Sequence, residues 1–150
     1  PDGFVCVVAP DTYAGFVDAN WNFDGLLACF VAQMNRGSLF VAHPGPDYGD
    51  CNMTFEPAPP QTSAAREVSG IVQVGTAGLW LTDYSQLTMA AQFSDESPID
   101  IYSQRLPVDP GRCQITLREE AADEEPTFML TVSPASTDAV MEQHSVPWLS

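Results

Sequence analysis

Between His43 and Cys51 the chain reads HPGPDYGDC. That stretch places an imidazole, two carboxylates and a thiol, with Tyr48 among them, inside one short segment. His43, Asp47 and Asp50 are residue types that ligate metals through nitrogen and oxygen, and a Cys51 thiolate would add sulfur. The spacing His43-x3-Asp47-x2-Asp50 fits no established ligand pattern, and Pro44 and Pro46 stiffen the backbone between the candidates. Pro44, Gly45, Pro46 and Gly49 also supply turn geometry between two strand-like runs, SLFVA and CNMTFE. The stretch therefore reads as a hairpin connection first and as a metal or small-ligand site second, with no cofactor expected.

Other chemistries leave little trace. No G-x-S-x-G elbow, P-loop or G-x-G-x-x-G after a strand is present. His43 and His144 are the only histidines, which restricts Ser-His and Cys-His designs. Cys6, Cys29, Cys51 and Cys113 form no C-x-x-C pair, which argues against a zinc ribbon or thioredoxin-like site. Their disulfide state stays open, because Cys6, Cys29 and Cys113 have apolar neighbours and read well as small buried hydrophobes. The residue types lean away from an enzyme.

Charge is the unusual property. Twenty acidic residues face five basic ones, all arginine, for a formal net charge of −15. Such a surface repels nucleic acid and anionic membrane and steers basic partners inward. It equally suits solubility or adaptation to salt. The apolar content of 45% is that of a folded globule, and 150 residues fit one domain. The longest apolar run, Leu26 to Ala32, is far too short to span a bilayer. A cytoplasmic location is favoured over a secreted or periplasmic one.

The elements that must position these residues read as strands punctuated by 13 prolines and 10 glycines. FVCVVA, CNMTFEP, GIVQVG, GLWLTDY, RCQITLR and TFMLTV are β-like, and TYAGFVDANW is a further short strand. SQLTMAAQF reads as strand or short helix. Leu26 to Met34 has helix-forming residues, but its apolar positions do not keep to one face, so a hairpin with GSLFVAH is preferred. PAPPQTSAAREVS reads as a loop. RCQITLR alternates Cys113, Ile115 and Leu117 inward against Gln114, Thr116 and Arg118 outward, and pairs with TFMLTV across an acidic loop, EEAADEEP. Residues 133–150 read as a loosely packed tail whose apolar end, Val146 to Leu149, covers an open sheet edge. The expectation is an all-β antiparallel sandwich of about eight to ten short strands with at most one helix, in a single domain over 1–150.

VVAPDTYAGFVD, then a tryptophan, CFVAQMNRGSLFVA, GDCNMTFE and LPVDPGRCQITL together resemble the layout of the competence protein J family, inhibitors of a bacterial DNA-entry nuclease. Tyr13, Asp18, Trp21, Gly37-Ser38, Phe40 and Pro110-Gly111-Arg112 carry the resemblance over most of the chain. Cys113 stands where that family would place an aromatic residue, and the loops are long. The resemblance implies a non-enzymatic sandwich that blocks a basic nuclease.

Independently, the charge points to an acidic binding protein, an inhibitor or immunity-type partner of a basic protein. The expected contacts are the acidic loops: Glu119, Glu120, Asp123, Glu124 and Glu125, together with Asp95 and Glu96. The alternative is a secreted or periplasmic disulfide-linked domain that binds a metal or small ligand through the His43 to Cys51 loop.

Overall fold

The first strand, β1 (Val5–Val8), is apolar at every position because both of its faces are covered. Val5 and Val7 point into one core, and Cys6 and Val8 into a second. This strand is the middle layer of the molecule. The computed structural model describes residues 3–45, 52–56, 64–120 and 127–149. The remaining elements are α1 (Phe23–Asn35), β2 (Leu39–Ala42), β3 (Asn52–Glu56), β4 (Ala64–Val74), β5 (Trp80–Thr82), α2 (Tyr84–Gln92), β6 (Gln104–Arg105), β7 (Gly111–Glu120) and β8 (Thr127–Pro134).

The strands form two four-stranded sheets, ordered β2-β1-β5-β6 and β3-β8-β7-β4. Their facing surfaces enclose the first core, where Val7, Phe40 and Leu79 meet Val72, Ile115, Leu117 and Leu130. The second core lies between the first sheet and the helices, where Cys6, Leu39 and Val41 meet Leu26, Phe30 and Leu87. The β-rich sandwich expected from the strand spacing is therefore present, with a helical layer added outside one sheet. Not all pairing is antiparallel: β3 runs parallel to β8, with Phe55 opposite Leu130.

The run from Leu26 to Met34 is helix, not half of a hairpin. Asn22 caps it by accepting from the Gly25 amide at 2.7 Å, and Asp24 complements the dipole in the first turn. Gly37, at φ 79°, ends it in the left-handed region, with its amide on the Met34 carbonyl. The buried face is Leu26, Phe30, Gln33 and Met34, spaced as a helix requires. Gln33 hid the stripe. It is polar but buried, and its Oε1 accepts from the Ala14 amide at 3.0 Å and the Ser38 hydroxyl at 2.7 Å.

Other expectations are resolved or changed. SQLTMAAQ takes the helical of its two readings as α2, so the described residues hold two helices where at most one was expected. TYAGFVDANW contains no strand and crosses the helical layer, held by Val17 and Asp18 amides on the Ala91 carbonyl. AAREVS belongs to the long strand β4, which pairs with β7 over nearly its whole length. Thr116 and Arg118, expected to face solvent, are buried.

Among the described residues, Cys6, Cys29 and Cys113 are free thiols. The chain's end is packed: Val146 sits in the second core, Trp148 lies against the first, and the Pro147 carbonyl accepts the His43 amide at 2.9 Å beside edge strand β2. No described helix is long and apolar enough to cross a membrane.

Candidate functional site

The connection from α2 to β6 is a short segment held down by its own polar side chains. From α2, Gln86 sends its Nε2 to the Glu96 Oε1 at 3.0 Å and to the Ser97 carbonyl at 2.6 Å. From β5, the Thr82 hydroxyl donates to the Pro98 carbonyl at 2.8 Å. Asp100 then closes a tight turn, its Oδ1 accepting the amides of Tyr102 at 2.9 Å and Ser103 at 3.1 Å. Ile99 is packed against the second core beneath.

The product is a rigid ridge with an apolar crest. Ile101 is 89% exposed and Tyr102 82% exposed. Large side chains are costly to leave in water on a segment so firmly bonded, which is a feature of contact surfaces.

Two recesses border this segment. A groove of about 490 Å³ runs between the ends of β1 and β5, with Asp83, Ser85, Asp100, Tyr102 and Ser103 on its walls. Asp83 occupies the N-cap position of α2, yet its side chain makes no capping bond. A smaller recess of about 270 Å³ is walled by Tyr13, Gly15, Phe16, Ala90, Glu96 and Pro98.

Among the described residues, the ion pairs join Arg66 to Glu119 and Arg118 to Glu67 and Glu120. None reaches Asp83, Asp95, Glu96 or Asp100. Arg112 is turned to the Ala139 carbonyl at 2.6 Å, and Arg105 faces the Trp80 ring. Among the described residues, no arginine forms an ion pair with the carboxylates of the ridge.

Cys6 borders the groove, but burial pushes its thiol far up, and the Asp83 carboxylate adds to the shift, so it stays protonated. Burial also raises the Cys29 and Cys113 thiols.

The described residues among those expected at the site lie in separate places. Asp95 and Glu96 belong to the ridge and are exposed. Glu119 and Glu120 lie in β7, not in a loop, and their carboxylates are spent on Arg66 and Arg118. Asp123, Glu124 and Glu125 fall outside the described residues, as do Asp47 and Asp50. His43 sits edge-on to Phe4, ring centroids 4.5 Å apart. Among the described residues no three His, Cys, Asp or Glu side chains converge as a metal site would require. Asp83, Asp100, Ile101 and Tyr102 were missed. For Asp100, Ile101 and Tyr102 the signal was PIDIY, an Asx-turn sequence with apolar residues on both sides of its aspartate, which reads equally well as the start of a strand; Asp83, in LTDY, had none.

No family model and no curated protein matches this chain. Among solved structures it aligns with "Crocagin biosynthetic gene J" at 11% identity and a TM-score of 0.47, over 89% of this chain and 91% of that one. At that level the alignment assigns neither family nor function. The resemblance to the competence protein J family is overturned, since neither comparison connects the chain to it.

Proposed function

We propose that this chain is a non-enzymatic acidic binding protein that docks onto a basic protein, as an inhibitor or immunity-type partner would, through the ridge at Asp95–Ser103. One observation carries the reading: a firmly bonded segment holds Ile101 and Tyr102 almost wholly in solvent between carboxylates that no arginine neutralises. Interface energy concentrates in such pre-organised aromatic and aliphatic anchors, because little side-chain and loop entropy remains to be lost. The surrounding negative field raises the encounter rate with a cationic surface and lowers it for nucleic acid.

The test is affinity capture from the source cell at low salt, run in parallel with the natural chain and an Ile101→Ser/Tyr102→Ser variant. A basic protein held by the first and lost by the second, with an association rate that falls steeply with added salt, supports the reading. Equal retention by both proteins, or no basic partner, removes it.

A further inference from the structure

We infer that the recess bordered by Val140, Met141 and Glu142 is a binding site for a small organic monocarboxylate with an apolar body, its carboxylate held by Arg112. The site shares no residue with the ridge, so the inference stands apart from the docking role.

The stretch after β8 is tethered at two places and free between them. At one, the Arg112 Nε of β7 donates to the Ala139 carbonyl at 2.6 Å. At the other, Asn35 at the end of α1 takes both backbone groups of Gln143: its Nδ2 donates to the carbonyl at 3.0 Å and its Oδ1 accepts the amide at 2.7 Å. Gln143 adds a bond from its Nε2 to the Ser69 carbonyl of β4 at 3.0 Å. Between these tethers, Val140, Met141 and Glu142 make no hydrogen bond among the described residues. They form one wall of a recess of about 520 Å³, and Met34, Ile71 and Arg112 line it as well. That volume lies in the range of small-molecule sites.

The walls narrow the ligand. The bond to Ala139 fixes the guanidinium of Arg112, and its two Nη groups have no partner among the described residues. A planar fork with two parallel donors matches a carboxylate bidentately. The Asn35 amide is spent on Gln143 and adds no recognition of its own. Charge then limits the anion. Glu142 stands on the same wall, and a chain of net charge −15 repels every anion in proportion to its charge. A single negative charge suits this site better than the two of a phosphate ester. The rest of the affinity comes from apolar surface. Met34 and Ile71 are buried walls, while Val140 is 81% exposed and Met141 37% exposed, so a ligand between them would shield apolar area from water. The two thioethers adapt to the shape of that body.

Octanoate is the probe, titrated calorimetrically into the full chain at low salt beside acetate, octanol and octyl phosphate. It should bind more tightly than each of the three by about tenfold or more, since neither half of the molecule suffices and a second charge is repelled. The methyl NMR signals of Met34 and Met141 should move during the titration, and that of Met89, in α2, should not. Arg112→Gln should weaken octanoate binding by about tenfold or more and leave octanol unchanged. Glu142→Gln alters an exposed side chain and leaves the packing alone; it should strengthen octanoate binding roughly threefold by removing a nearby like charge. Octanol or octyl phosphate bound as tightly as octanoate, unmoved Met34 and Met141 signals, or no gain in Glu142→Gln would each overturn the assignment.

Discussion

The Arg66 guanidinium lies 4.0 Å from the centre of the Trp148 ring, and the same side chain donates to the Pro44 carbonyl at 2.7 Å and to Glu119 at 3.1 Å. One residue of β4 thus joins the chain's last segment to the turn after β2 and to β7. Trp148 holds φ at 68°, a left-handed conformation that costs a residue with a side chain about 1 kcal/mol or more. That cost persists because the ring is held by Arg66 and by the first core.

Trp148→Ala removes the ring and keeps the backbone penalty, so it should destabilise the fold by about 1–3 kcal/mol. Arg66→Lys keeps the charge but loses the planar stack and fork, and should cost about 1 kcal/mol. Hydrogen exchange at residues 143–149 reads the effect directly. Unchanged protection of that segment in Trp148→Ala would show that the ring does not hold it.

Much of the layering was legible in local pattern. RCQITLR and TFMLTV alternate, and they form the β7–β8 pair in the register that alternation requires, Ile115 opposite Val132. FVCVVA is uniformly apolar because two cores claim it. What failed was tertiary. Gln33 looks like an interruption until Ser38 and the Ala14 amide are brought to it. AAREVS follows a proline-rich run and looks like loop, but Glu67 finds Arg118 across the ladder at 2.7 Å. In the site, Asp95 and Glu96 announce themselves as neighbours, whereas Asp83 and Asp100 line one groove only after α2 folds back between them.

Arg118 is the buried charge of the outer sheet face, 7% exposed, between Glu67 and Glu120. Arg118→Ala leaves two carboxylates close together, but Glu67 is 46% exposed and can return to water. The loss should therefore be about 1–3 kcal/mol, below that of a fully buried pair. Arg118→Met, which refills the volume, should recover part of it. Urea unfolding distinguishes the two, and equal loss in both would mean that charge, not packing, dominates.

The Tyr13 hydroxyl is enclosed with no hydrogen-bond partner among the described residues. Tyr13→Phe removes an unsatisfied group and should raise stability by about 1 kcal/mol. Burial first, then the nearby Cys29 and Cys6, push the phenol's ionisation upward. Burial and the Asp83 carboxylate do the same to Cys6. Both groups hold their protons longer folded than unfolded, so the stability linked to them is complete below the ordinary values and is lost as pH rises past them. Those values are about 8.5 for a thiol and about 10 for a phenol. Thermal unfolding followed from neutral to alkaline pH should show a loss in two stages, and Tyr13→Phe should remove the later one. An unaltered alkaline profile in that variant would assign the loss elsewhere.

Gly70 in β4 faces the Phe40 ring across the first core, and a Cβ there would come 2.7 Å from Phe40 Cδ1. Two effects of Gly70→Ala oppose each other. Alanine restricts the unfolded chain and would stabilise an unstrained extended position by about 0.4–1 kcal/mol. Overpacking against a ring that is 1% exposed costs about 1–3 kcal/mol. The second should win, because Phe40 is enclosed by Val72, Leu117 and other core residues and has little room to move. Gly70→Ala should therefore lower the urea midpoint, and Phe40→Leu in the same chain should cost less than it does alone, since the two sites share one space. A midpoint raised by Gly70→Ala would show that the ring yields and that the layers are less tightly apposed than this contact implies.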